Sequence, residues 1–192
     1  ISVKLSALHP RFEYANRTAC VPYLAEVMTT LARKCAHYQI GLTIDAEEAH
    51  RLEMTLDILA RVFADPALKD WEGLGLAVQA YQKRARDVVA RVIALAEAEG
   101  RKLMVRLVKG AYWDSEIKYA QVQGLSGYPV FTRKAATDVS YLACAAQLLA
   151  RRDAVYPMFA THNALSVAAV MEMAGNDRGG FEFQRLHGMG EP

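Results

Sequence analysis

Apolar stretches of strand length alternate with stretches of helical periodicity along the whole chain, and that order constrains the fold more than any single motif. The strand-like runs are residues 1–8 (ISVKLSAL), 41–46 (GLTIDA), 75–81 (GLAVQAY), 103–109 (LMVRLVK), 158–163 (MFATHN) and 181–186 (FEFQRL). Between them, Leu24, Val27, Met28 and Leu31 share a helical face, as do Leu52, Leu56, Leu59 and Phe63. Val88, Val92 and Leu95 do the same ahead of Gly100, which reads as a helix C-cap. Tyr141, Ala145 and Leu148, then Val167, Val170 and Met171, mark later helices. A strand–helix–strand order demands parallel strands, because each crossover needs a helix, and near-continuous apolar strands fit a sheet covered on both faces.

A doubly wound open sheet and a (β/α)₈ barrel both satisfy this order. Polar residues decide between them. Asp45, Gln79, Lys109, Thr161, His162, Asn163 and Gln184 recur at or near the C-terminal ends of nearly every strand, where a barrel builds its site. An open dinucleotide-binding sheet would gather them at one switch point behind a GxGxxG turn, and neither that motif nor a P-loop is present. Six strands cannot close an eight-stranded ring. The chain also starts without Met inside one strand-like pattern and stops at Gly190-Glu191-Pro192 after another. The expectation is a (β/α)₈ TIM-type barrel present as an incomplete fragment lacking about the first and last strands, with residues 1–192 one partial barrel domain. Residues 114–132, with Gly124, Gly127 and Pro129, read as a loop able to fold over the site.

At 192 residues and 53% hydrophobic, the chain can bury a sizeable core. Its net charge of +2, without a block of like charge, gives no footing for nucleic acid. No apolar run approaches the roughly 20 residues of a membrane span, and no signal peptide opens the sequence. Three cysteines without CxxC spacing read as reduced thiols of a cytosolic protein.

Residues 103–116 (LMVRLVKGAYWDSE) concentrate the chemistry. Arg106 stands inside an apolar strand, where a guanidinium is costly to bury without a partner. Gly110 then lets the backbone pass close to something flat or phosphorylated, ahead of Tyr112 and Trp113. Arg106 and Gln79 could address the electron-rich edge of a conjugated ring; equally, Arg106 could pair with Asp45 or Glu47 inside the barrel. Lys4 is an anion-binding charge, a Schiff-base nucleophile, or a side chain snorkelling to solvent. Asp45 is a site carboxylate or a helix N-cap, while Glu47 and Glu48 suit the first turn of the next helix. Thr132, Arg133 and Lys134 could hold phosphate at a helix start or form a solvated first turn. Tyr112 and Trp113 could wall a flat ligand or fill the core. A metal centre built on His9, His162 and His187 lacks HxH or HExxH spacing, and no GxSxG elbow exists, so metal and serine-nucleophile chemistry are not expected.

Seven segments carry a resemblance: ISVKLSALHPR, GLTIDAEE, VQAYQKR, RLVKGAYWDSE, YPVFTRK, FATHN and LHGMGEP. In that order, over essentially the whole chain, they resemble the proline dehydrogenase domain of the bifunctional proline utilisation A family. The resemblance implies a distorted barrel carrying FAD at the C-terminal strand ends, oxidation of L-proline to Δ1-pyrroline-5-carboxylate by hydride transfer from C5 to flavin N5, and a quinone as electron acceptor. It implies Arg106 beside N5, Gln79 at the ring edge, and Val108, Gly110, Ala111 and Trp113 bordering the cofactor. Thr132, Lys134, Thr161, His162, Asn163 and Gln184 match positions along the flavin, its phosphates or its adenosine. Lys4 matches the lysine near the proline carboxylate, and Asp45, Ala111, Tyr112 and Leu186 the substrate pocket, with Arg106, Lys4 and Asp45 the catalytic set. A cytoplasmic parent, peripheral on the inner face of the cell membrane, is implied as well. The family's last barrel helix, which clamps the proline carboxylate, would fall beyond Pro192, so residues 1–192 alone are expected to turn over little or no proline. Two rivals are a Schiff-base aldolase using Lys4 or Lys109, and a non-catalytic scaffold.

Overall fold

The computed structural model describes residues 1–189. Six strands form one sheet in sequential order, every neighbouring pair parallel: β1 (Ser2–Val3), β2 (Leu42–Ile44), β3 (Leu74–Gln79), β4 (Leu103–Val108), β5 (Val155–Ala160) and β6 (Glu182–Gln184). The helices are α1 (Leu5–Leu8), α2 (Arg17–His37), α3 (Leu52–Phe63), α4 (Ala85–Glu99), α5 (Trp113–Val122), α6 (Lys134–Leu149) and α7 (Ala164–Ala174). A singly wound parallel sheet of this kind is an incomplete TIM-type barrel.

Strand β4 shows how the layers arise. Leu103, Val105 and Leu107 are buried while Met104, Arg106 and Val108 are half-buried, the period-2 alternation of a strand with two different faces. The buried trio joins Leu24 and Met28 of α2, Leu56 and Leu59 of α3, Val89 of α4 and Leu148 of α6 in one core. Each such side chain contributes about 1.5–3 kcal/mol on burial. Arg106 therefore points to the opposite, interior face. Register puts it level with Ala77 of β3, Met158 of β5 and Glu182 of β6, one layer below Gln79, Val108, Ala160 and Gln184. Gly100 closes α4 in the left-handed region at φ 65°, its N–H bonded to Ala96 and Glu97 carbonyls, as the C-cap reading required.

Four expectations need correction. The strand read over residues 1–8 ends at Val3, and Leu5–Leu8 turn helical because Leu5 enters the core and Ser6 grips the buried Glu47 carboxylate. The fifth strand starts at Val155 rather than Met158 and ends at Ala160. The loop read over 114–132 is half helix: α5 occupies Trp113–Val122. Glu47 and Glu48 are not in a helical first turn, for a 3₁₀ turn (Ala49–Arg51) precedes α3, and both carboxylates face Arg51.

Candidate active site

The interior face links side chains of four segments, those holding Lys4, Asp45, Arg106 and Gln184, in one chain of hydrogen bonds. Its Nη1 donates to Asp45 Oδ1 at 2.9 Å and its Nε to Gln184 Oε1 at 2.8 Å. Asp45, one residue past β2, also accepts from Lys4 Nζ at 3.0 Å through its other oxygen. Asp45 thus caps no helix; it bridges two cations. The ion pair expected as the plain alternative for Arg106 is made with Asp45, and both partners keep 22% of their side-chain surface exposed. That leaves the cluster open to a ligand, and no acceptor among the described residues takes Arg106 Nη2. Lys4 is half-exposed, and its hydrogen bond to Asp45 outweighs partial burial in raising its pKa. An ammonium held protonated in this way is a poor Schiff-base nucleophile. Tyr112, half-buried at the start of α5, has its phenol pKa raised by burial, a shift that nearby Lys4 opposes. Lys109, the other aldolase candidate, is bound by Asp138 at 2.5 Å, and Asp138 is held below its usual range by Lys109 and by Lys134 at 2.8 Å.

The remaining predicted residues ring the C-terminal ends of β3 to β6. Gln79 is 4% exposed; its amide donates to the Glu47 carbonyl at 2.9 Å and accepts from Ala111 N–H at 3.2 Å, tying β3 to the turn after β4. Val108 is half-buried and Gly110 exposed. At φ 143°, Gly110 is in a conformation that disfavours a side chain, and a Cβ there would lie 2.4 Å from the Tyr81 ring. The flat group that this glycine admits is thus Tyr81 of the chain itself. Trp113 is 43% exposed and anchored by Nε1 to the Phe131 carbonyl at 2.9 Å, beside exposed Thr132. Thr161 Oγ1 accepts from Asn163 N–H, and Asn163 caps α7 by accepting from Ser166 N–H at 2.9 Å. His162 Nε2 accepts from the N–H of Leu186, whose side chain is exposed. Thr132, Arg133 and Lys134 are all exposed, so the solvated first turn offered as their alternative is present, but α6 opens with no side-chain cap.

A family model described as proline dehydrogenase matches residues 1–192. The chain belongs to the proline dehydrogenase family. It is 54% identical over 194 residues to the bifunctional protein PutA of Escherichia coli (strain K12), covering all of this chain and 15% of the relative. Proline dehydrogenase 2 of Bacillus subtilis (strain 168) is 31% identical over 169 residues, 85% of this chain and 47% of that one. A crystal structure of Bradyrhizobium japonicum proline utilization A superposes with a TM-score of 0.97 at 62% identity, over all of this chain and 20% of that one. The chain therefore spans about a fifth or less of the bifunctional relatives it resembles.

Two carboxylates, one in the Arg106 cluster and one buried on α5, were not anticipated. Glu182, on β6, accepts from Gln184 Nε2 at 2.6 Å. Glu116, 2% exposed on α5, accepts from Ala49 N–H at 2.5 Å, and burial raises its pKa. Glu182 carried a readable signal, a carboxylate two residues before a predicted site glutamine in a strand. Glu116 carried none, because the helix holding it was read as loop.

Proposed function

We infer that this segment supplies most of the active-site wall of an FAD-dependent proline dehydrogenase and belongs to a single barrel domain. The observation that carries the reading is Arg106, half-buried on the interior face with two side-chain partners and, among the described residues, no acceptor on its third nitrogen, in a chain of this family. The residues fit a large flat cofactor with phosphates. Exposed Trp113, Thr132, His162 and Asn163 line the strand ends, and the Lys134 side chain is 77% exposed there. Gln79, Arg106, Val108, Gly110, Ala111, Trp113 and Gln184 would border the ring system; Thr132, Lys134, Thr161, His162 and Asn163 would hold its outer parts.

FAD, when bound, supplies a two-electron acceptor for hydride at N5. In the substrate, the C5–H bond breaks with its electron pair leaving on hydrogen, the nitrogen lone pair forms C=N, and the N–H proton passes to solvent. Arg106 provides fixed positive charge where negative charge accumulates, an effect worth roughly 10²–10³ in rate for one such donor. Lys4 is a point charge suited to the proline carboxylate, and Asp45 holds Lys4 and Arg106 at one spacing. Tyr112 and Leu186 exclude water and hold the ring in position. A quinone would reoxidise the flavin, which suits a cytoplasmic protein peripheral on the inner face of the cell membrane. Among the described residues no helix is long and apolar enough to cross one.

The test is anaerobic addition of L-proline to the full-length protein. The flavin absorption bleaches if the reading is right. A colourless protein trapped on substrate by borohydride would replace it with the aldolase alternative.

A further inference from the structure

Arg106 is gripped by a side chain that has two faces of nearly equal shape. The Gln184 carboxamide offers an oxygen that accepts and an NH₂ that donates, and nothing in its own bonding decides which way round it sits. Arg106 Nε can only donate. It therefore needs the oxygen end, which it takes at 2.8 Å. The other end of the amide meets Glu182 Oε1 at 2.6 Å, and an ionised carboxylate can only accept. Reversing the amide would set NH₂ against guanidinium and carbonyl against carboxylate. Both contacts would turn repulsive together.

Resting on the reading of the site as a proline dehydrogenase centre, we propose that Glu182 is the positioning residue for Arg106, acting by fixing the orientation of the Gln184 amide. Its place in the sheet suits that role. Glu182 sits level with Met158 and Arg106 on the interior face, and its second oxygen lies 3.5 Å from Tyr156 Oη on the neighbouring strand. The Met158 sulfur also receives the Gln184 NH₂, at 3.1 Å, so the donor end is engaged twice on the side away from Arg106. The result is a directional chain from β6 through Gln184 to Arg106, Asp45 and Lys4. Asp45 holds one nitrogen of the guanidinium, and Glu182 acts on another at one remove.

The experiment uses the full-length protein with FAD, in wild-type form and as Glu182→Ala, Glu182→Gln, Gln184→Ala and the Glu182→Ala/Gln184→Ala double variant. Stopped-flow reduction by L-proline separates the limiting rate from the apparent proline affinity, and crystal structures of the same proteins without proline report the Arg106 rotamer. Glu182→Ala should lower the limiting rate on the order of tenfold, as expected for a displaced catalytic group, with little change in proline affinity. It should also move Arg106 off Gln184. Glu182→Gln still has an oxygen for the Gln184 NH₂ but can also turn its own NH₂ there, so it should recover the rate only in part. In the Gln184→Ala background, Glu182→Ala should cost nothing further. A wild-type limiting rate or an unmoved Arg106 in Glu182→Ala overturns the inference, as does a Gln variant as slow as the Ala variant, or additive losses in the double variant. A wild-type protein that proline fails to bleach sinks the dehydrogenase reading instead; the Arg106 rotamers still judge the positioning role.

Discussion

Arg101 and Arg106 flank and occupy the same strand, and the molecule uses them in opposite ways. Arg101, just ahead of β4, is 8% exposed, stacks on Phe63 with 3.9 Å to the ring centroid, and donates to the backbone carbonyls of Phe63, Leu68 and Trp71. Burial lowers its pKa, a shift that the nearby carboxylates of Glu99 and Asp65 only partly offset. Arg106, on the interior face, spends its hydrogen bonds on two movable side chains and keeps part of its surface exposed. Carbonyls from a helix end and the turns after it cannot follow a moving guanidinium; a carboxylate and a carboxamide can. The first arginine is part of the frame at the N-terminal end of the barrel, and the second is the one to which we assign chemistry, in keeping with where barrels place stability and chemistry.

This contrast can be broken by experiment on the full-length protein. Arg106→Met should cost roughly 10²–10³ in the limiting rate of flavin reduction by proline while leaving the unfolding midpoint near wild type. Equal loss of folding and rate would make Arg106 a second structural arginine. Arg101→Met should do the reverse, losing about 3 kcal/mol in denaturant unfolding as buried carbonyls lose their donor, with the rate per bound flavin unchanged. Gly110→Ala should destabilise by about 1–3 kcal/mol, because φ 143° disfavours a side chain and the added methyl meets the Tyr81 ring. Unchanged stability there would mean that the turn after β4 relaxes freely.

The smallest effect concerns Glu116. Burial raises its pKa in the folded protein, so folding favours its protonated form, and its penalty appears as pH rises from the ordinary carboxylate range through the raised value. Glu116→Gln should therefore gain stability relative to wild type as pH rises through that window and plateau above it. A difference independent of pH would contradict the assignment.

Much of the frame was legible because its signals are local. Strands β3 and β4 fall within about two residues of the apolar runs that announced them, and Gly100 caps α4 as read. The cost of a lone guanidinium inside a strand offered Asp45 or Glu47 as a partner for Arg106, and the structure pairs it with Asp45. Helix α5 was missed for a physical reason: its buried face carries Glu116 and Ala120, so no large apolar residues mark a period. Residues 1–8 misled because strand pairing stops at Val3, where Ser6 reaches the Glu47 carboxylate, a contact 41 positions away that no local pattern encodes. For Glu182 the spacing to Gln184 is local and legible; what no local pattern encodes is the link from Gln184 to Arg106, 78 positions away.

The most direct test of the central claim is a crystal structure of the full-length protein with FAD and a proline-like carboxylate bound. The account predicts an Arg106 nitrogen within about 3.5 Å of flavin N5, Lys4 Nζ on the carboxylate, and Asp45 still bridging the two. Flavin seated elsewhere, or Arg106 turned away from it, would contradict it.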